Sequence, residues 1–413
     1  MIDLGKLPEP SDKNIAVRVK PAAERAIRQG HPWVFEESIV KQSHLGNAGD
    51  LAVIYDRDKN RFLAVGLYDP FSPIRIKILQ RERPERINYA WFVKTLEAAQ
   101  ARRQPLIDMG ITGYRLVYGE SDGLPALVID RYGDTLVMKL YTVAWLPQMK
   151  TLIAAMRKTL DFENLVLRLS RTLQSQRHDI VRLHGLADGQ LLLGTGDLSQ
   201  VPFVENGLRF EADVRKGHKT GFFFDQRDNR QKVRELANGR RILDVFAYSG
   251  GFSVYGLAGG AKSILALDSS EPALEALKAN VTLNGLDEKR VGTMVTDAFS
   301  GLRELVDTRR RFNLVIIDPP ALANSRANVQ KAVLAYRRLA EMGMALLAED
   351  GLLLMSSCSS RITMEMFYNL VTRSAEVAGY DLEITETTSH ALDHPIGFPE
   401  AEYLKAIFAV LKS

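Results

Sequence analysis

The most constraining stretch of the chain is residues 240–268, R-R-I-L-D-V-F-A-Y-S-G-G-F-S-V-Y-G-L-A-G-G-A-K-S-I-L-A-L-D. A short apolar run, 242–247, ends in Ser249-Gly250-Gly251, and a helix of small residues follows. After Gly259-Gly260 a second apolar run, 263–267, stops at Asp268. This pattern predicts strand, turn, helix, strand, the crossover that parallel neighbours require. In such a unit the glycine turn lets backbone N–H groups approach a ligand, and a carboxylate ending the second strand is placed to accept from ribose hydroxyls. The stretch reads as a cradle for a nucleoside-containing cofactor.

Downstream the order is regular. A helix is predicted over 272–284, with Leu274, Leu277 and Val281 at helical spacing. Strands are predicted over 292–296, ending at Asp297, and over 312–317, ending at Asp318-Pro319-Pro320. A helix over 329–347 precedes a strand over 351–356 that leads into Ser357-Cys358-Ser359-Ser360. A helix over 364–378 and late strands over 381–385 and 403–411 complete the chain, the strands flanking H-A-L-D-H-P-I-G-F-P-E. Alternating strands and helices predict an α/β fold, a doubly wound Rossmann-like sheet over 218–413.

The 413 residues are too many for one ordinary core, so further domains are expected upstream. Residues 1–14 read as a loose tail. Up to residue 84 follow strand-like runs (15–19, 51–55, 62–68, 74–79) and one helix over 21–30, which suggests a small β-barrel-like domain with Trp33 and Phe35 filling its core. Residues 85–217 read as a mixed α/β region, with helices over 87–104 and 152–160 and strands near 165–169 and 191–193. With 46% apolar and 25% charged residues the composition is that of a soluble protein. No apolar run approaches the ~20 residues that span a bilayer, and one cysteine rules out an intrachain disulfide framework. The cytosol is expected. The net charge of +4 is concentrated in the first 230 residues, which permits contacts to nucleic-acid phosphates.

In an open α/β sheet the ligand lies beyond the carboxyl ends of the strands. Those ends carry the Ser249-Gly250-Gly251 turn, Asp268, Asp297, Asp318 and Cys358. The turn lacks the G-x-G-x-x-G of dinucleotide enzymes and the G-x-x-x-x-G-K-S/T of a P-loop, which leaves S-adenosylmethionine. Asp244 and the turn would lie under its methionine moiety, Asp268 on the ribose and Asp297 near the adenine. The binding set read here is Asp244, Phe246, Tyr248, Ser249, Gly250, Gly251, Asp268, Ser269, Asp297, Ala298, Asp318 and Pro319. Two prolines after Asp318 aim its carboxylate rigidly at a planar base edge. Cys358, next in strand order, shares that cleft; a thiolate there can add to C6 of a pyrimidine and make C5 nucleophilic toward a methyl group. Two other readings stay open: methylation of a base nitrogen, for which Asp-Pro-Pro suffices, and a non-catalytic RNA-binding protein with a vestigial cofactor fold. No residue cluster points to a metal.

H-P-W-V-F at 31–35, Y-R-L-V-Y-G-E-S-D-G-L-P-A-L-V-I-D-R-Y-G, G-H-K-T-G-F-F-F-D-Q-R-D-N-R, D-V-F-A-Y-S-G-G-F, I-D-P-P, S-S-C-S-S and D-H-P-I-G-F-P-E-A-E-Y-L-K together resemble, over nearly the whole length, the PUA-domain-containing 23S ribosomal RNA 5-methylcytosine methyltransferases. The resemblance implies a PUA domain over 1–84, a central domain over 85–217 and a catalytic domain over 218–413. It also implies Cys358 as nucleophile with Asp318 as its motif partner, and Gln226, Arg227 and the D-H-P loop near the site. Large-subunit ribosomal RNA is the implied partner, no membrane is involved, and a homodimer is one compatible assembly. This chain departs from the family pattern at Ala321-Leu322, where Lys-Phe is common, and at Ser360, where Gly is usual. It has no second cysteine beside Asp-Pro-Pro, so the C5 proton must leave to another base or to water.

Overall fold

The computed structural model describes residues 4–176, 184–323 and 325–412. Chain contacts divide it into two compact units. The first comprises 1–204, 212–222 and 392–399, and the second 205–211, 223–391 and 400–413.

The first unit holds two sheets. One has six strands, β1 (Ile15–Val19), β2 (Trp33–Phe35), β3 (Ile39–Gln42), β4 (Leu51–Tyr55), β5 (Phe62–Tyr68) and β6 (Ile74–Arg81), in the order β2-β6-β5-β4-β1-β3. Alternation sets the faces: Ile15, Val17 and Val19 point inward while Ala16 is exposed. The helix Pro21–Arg28 starts on a proline and the chain turns out of it at Gly30, where φ is 100°. In β2 the core position is Val34, fully buried, and the expectation that Trp33 and Phe35 fill the core is corrected: both are half-buried. Period-two alternation had put only one of the three inward. The Trp33 indole N–H instead donates to Glu120 Oε1 at 2.8 Å. Strand β3, absent from the sequence reading, buries none of its four residues and so shows no apolar pattern.

The other sheet has five strands, β7 (Gly113–Tyr118), β8 (Leu127–Tyr132), β9 (Thr135–Leu140), β10 (Asn164–Leu169) and β11 (Gln190–Leu193), in the order β11-β10-β9-β8-β7. Its one parallel pair, β9 with β10, is joined through the helix Met149–Thr159. The chain first enters the second unit at the end of β12 (Val201–Glu205), returns to the first at the end of β13 (Leu208–Ala212), and enters the second again at 223.

The second unit is built on seven strands: β14 (Arg241–Val245), β15 (Ser263–Asp268), β16 (Val291–Val295), β17 (Phe312–Ile317), β18 (Leu347–Ser357), β19 (Leu382–Thr388) and β20 (Lys405–Leu411). Their order is β16-β15-β14-β17-β18-β20-β19. The first five are parallel, and β20 runs antiparallel to both β18 and β19. Parallel strands covered on both faces read as continuous apolar runs, and Leu314, Val315, Ile316 and Ile317 are all fully buried. Strand β18 begins before the expected 351, and Asp350 within it takes a left-handed φ of 54°. The chain leaves β14 toward β15 on one side and returns to β17 on the other. The strand order therefore switches between β14 and β17, where a ligand crevice opens beyond the carboxyl ends. Among the described residues no helix is long and apolar enough to cross a membrane.

Candidate functional site

The site is assembled wholly within the second unit, at the carboxyl ends of β14, β15, β17 and β18. After β14 the backbone folds back sharply. Phe246 and Tyr248, neither of them glycine, sit at φ 66° and 48°, and Gly250 at 80°. A left-handed non-glycine residue costs roughly 1–2 kcal/mol and persists only where its surroundings fix it. Here they do: Phe246 N and Ala247 N both donate to Leu267 O (2.9 and 3.1 Å), and Tyr248 N donates to Asp268 Oδ2 at 2.9 Å. The Asp268 carboxylate thus braces the turn from the end of β15, its other oxygen accepting from Ser270 N at 2.9 Å. Gly250 opens the helix Gly251–Ala258, and Asn280 Nδ2 donates to Ser249 O at 3.0 Å. Ser249 Oγ is buried and has no hydrogen-bond partner among the described residues.

Asp244 lies beneath this turn, 1% exposed, accepting from Ser253 Oγ at 2.6 Å. Burial pushes its carboxyl up to about 7; the Ser253 hydroxyl opposes this, and the charges of Asp318 and Asp268 add to it. Asp297 is exposed at the end of β16 and caps the helix Ala298–Asp307 by accepting from Ser300 N at 3.1 Å. The Ser300 bond holds its carboxyl below the usual range. Ser269 is exposed and Ala298 buried beside these two ends.

Asp318 is half-buried and tightly oriented. Its Oδ1 accepts from Gln226 Nε2 at 2.8 Å and from the Ser356 hydroxyl. Gln226 is itself fixed: Asn229 Nδ2 donates to its Oε1 at 2.6 Å, and Thr388 Oγ1 donates to Asn229 Oδ1 at 2.5 Å. Arg227 is 2% exposed and its Nε meets Asp228 Oδ1 at 3.2 Å. Gln226 and Asp318 are therefore brought together, whereas the Asp297 carboxylate bonds within its own helix cap.

Cys358 is half-buried just beyond β18, and its Sγ–H donates to Pro319 O at 3.7 Å. The serines around it form a frame. Ser359 Oγ accepts from Leu322 N and Ala323 N (3.1 and 3.2 Å) and bonds the Tyr336 hydroxyl at 3.1 Å, while Ser357 Oγ donates to that same hydroxyl at 2.9 Å. The loop after Asp-Pro-Pro, including the divergent Ala321-Leu322, is thereby pinned to the loop carrying the thiol. Ser356, Asn229, Tyr336 and Lys405 were missed in the sequence. The available signals were the Gln226–Asn229 spacing of one helical turn, the serines flanking the cysteine, and a lone lysine opening an apolar strand. The D-H-P loop makes its described contacts in the first unit: Asp393 Oδ2 accepts from Arg115 N at 2.8 Å and Arg103 Nη2 donates to Asp393 O at 2.8 Å.

Residues 115–409 match the family model described as S-adenosylmethionine-dependent methyltransferase, and residues 17–81 match that of a PUA-like domain. The chain is 44% identical over 406 residues to a ribosomal RNA large subunit methyltransferase of Deinococcus radiodurans, covering 97% of this chain and 98% of that one. It is 36% identical over 387 residues to a ribosomal RNA large subunit methyltransferase I of Aeromonas salmonicida, covering 93% and 96%. Among solved structures, a protein of Streptococcus mutans described as a SAM-dependent methyltransferase superposes with a TM-score of 0.80 at 20% identity, over 96% of this chain and 99% of that one. A methyltransferase complexed with SAH superposes at 0.81 and 21% identity, again over 96% and 99%. At these identities the structural likeness speaks for the fold.

Proposed function

The chain belongs to the S-adenosylmethionine-dependent methyltransferase family, and from that premise we propose that it methylates C5 of a cytosine in large-subunit ribosomal RNA through a covalent Cys358 adduct. The observation that carries this reading is the 3.7 Å approach of Cys358 Sγ to Pro319 O, which puts the one thiol of the chain beside the Asp-Pro-Pro turn. The cofactor is S-adenosylmethionine, and the residues fit it. The strained Phe246–Gly250 backbone forms a cradle, Ser249 Oγ is a buried group without a partner among the described residues, and Asp268 keeps acceptor capacity beyond its two backbone bonds. Phe246, Tyr248, Ser249, Gly250 and Gly251 would hold the methionine end above Asp244, Asp268 and Ser269 the ribose, and Asp297, Ala298 and Pro319 the adenine side, with Gln226 and Arg227 flanking Asp318. Bound S-adenosylmethionine supplies an electrophilic methyl group.

The chain's own residues supply the rest. The Cys358 thiolate adds to C6 of the base, forming an S–C bond and shifting electron density to C5. Asp318, fixed by Gln226 and Ser356, would take up a proton in the complex with the base and donate it to N3, neutralising the charge that develops on the ring. Once C5 carries the methyl group, its proton leaves to a base or water and the S–C bond breaks, returning the thiolate. Residues 1–84 and 85–217 would grip the RNA and residues 218–413 carry the chemistry. Contact to RNA phosphates is further supported at the amino ends of the methyltransferase strands. A cavity of about 410 Å³ there is lined by Arg241, Lys289, Arg290, Arg309, Arg310 and Arg311, with no acidic residue among its walls.

Replacing Cys358 with Ala tests the reaction. Methyl transfer to ribosomal RNA, followed by mass mapping of the product nucleoside, should fall by at least about 10³-fold. Calorimetric binding of S-adenosylmethionine should persist. Full methyl transfer by C358A would overturn the adduct and favour a base nitrogen as the acceptor.

A further inference from the structure

Lys405 opens the otherwise apolar strand β20, K-A-I-F-A-V-L, and is 1% exposed. Antiparallel register sets it opposite Ser357, one residue before Cys358. Its Nζ donates to Ser359 O at 2.8 Å and to Tyr403 O at 2.7 Å, so its head is anchored one residue past the thiol. Taking an ammonium out of water is costly unless something replaces the solvent, and two neutral carbonyls replace only part of it. No carboxylate pairs with it among the described residues. The acidic groups that face it are Cys358 first and the exposed Glu402 second. Burial draws Lys405 down to about 8 against the opposing pull of Cys358. Such coupling is reciprocal: an anion that favours the ammonium is itself favoured by it.

We propose that Lys405 is a positioning residue for the Cys358 nucleophile, its buried ammonium favouring thiolate over thiol and its bond to Ser359 O holding the loop that carries the sulfur. This rests on the reading of Cys358 as the nucleophile. Other titratable groups also lie near the thiol. Tyr336, whose hydroxyl bonds both Ser357 and Ser359, is kept neutral by burial. Asp318 acts in the opposite sense, as a negative charge one residue before the Pro319 carbonyl that accepts the thiol's hydrogen bond. That carboxylate is half-exposed and its charge is already engaged by Gln226 and Ser356, whereas the ammonium is sealed from water, so the cation prevails.

Because Cys358 is the only cysteine, the rate of alkylation by iodoacetamide as a function of pH reads its thiolate fraction directly, with no cofactor or RNA present. In the full-length protein the midpoint should lie below the ordinary thiol value of about 8.5. In K405M and K405Q it should rise by about one pH unit or more, a tenfold loss of thiolate near neutrality, while K405R, which keeps the charge, should stay close to the parent. K405Q retains an amide donor for the carbonyls and so separates loss of charge from loss of the anchor. Equal midpoints in the parent and in K405Q, or a parent midpoint at or above 8.5, would overturn the proposal. A low parent midpoint that rises in K405Q, combined with full methyl transfer by C358A, would uphold the coupling and sink the nucleophile reading alone.

Discussion

Asp244 is a carboxyl group taken out of water beneath the Phe246–Gly250 turn, and its ionisation is tied to folding. In the unfolded chain it ionises near pH 4, and in the folded chain near 7, because burial disfavours the charge. The folded state therefore holds an extra proton across that window, and stability falls as pH rises from about 4 to about 7, by roughly 4 kcal/mol at most. Asp244→Asn keeps an acceptor for the Ser253 hydroxyl without the charge. Urea midpoints measured from pH 4 to 8 should show a flatter profile than the parent, with the variant at least as stable at pH 8. An unchanged slope would refute the assignment. The strand-end positions of Asp268, Asp297 and Asp318 were legible because each follows a strand-like run that must stop, whereas Asp244 lies within β14. The relay from Thr388 through Asn229 and Gln226 to Asp318 was not, since its links span 159 and 92 residues of sequence and no local pattern encodes them.

At the scale of elements, the turn from β14 into the helix Gly251–Ala258 leaves no room for a side chain at Gly250. A Cβ on Gly250 would lie 2.3 Å from Leu277 Cγ, on a backbone with φ of 80°. Gly250→Ala should destabilise the protein by about 2–4 kcal/mol and weaken S-adenosylmethionine binding at least tenfold, readable by denaturant titration and calorimetry. Adding Leu277→Ala removes the clash but not the left-handed backbone, so only part of the loss should return. The central strands β14, β17 and β18 were legible because burial on both faces makes them plain apolar runs with helices between. Strand β3 was invisible for the converse reason: a strand with no buried residue has no hydrophobic period to read. The same logic explains the correction in β2, where three large apolar residues in a row hid which of them faced inward.

Across the whole molecule, the informative feature is where the D-H-P loop makes its contacts. Asp393 is fully buried, accepting from Arg115 N and meeting His394 Nδ1 at 3.1 Å, while its carbonyl takes a bond from Arg103, which is itself paired with Asp122 at 2.6 Å. Asp393→Ala would remove the buried carboxylate that accepts from Arg115 N and meets His394 Nδ1, and should cost about 3 kcal/mol in chemical denaturation. A cost under about 1 kcal/mol would show that the loop is dispensable to the fold. By contact, residues 392–399 belong to the first unit although they lie deep in the C-terminal half of the sequence. With the unit boundaries at 204/205, 211/212, 222/223, 391/392 and 399/400, the polypeptide is laced between its two halves rather than strung from one to the next. No single cut in the chain separates the segments of one unit from those of the other. A fragment ending at 217 leaves Arg103 and Arg115 without their late partner, and one beginning at 218 carries that partner with nothing to receive it. Gene dissection between 217 and 218 should yield two insoluble fragments, whereas co-expression of the two restores the missing stitches.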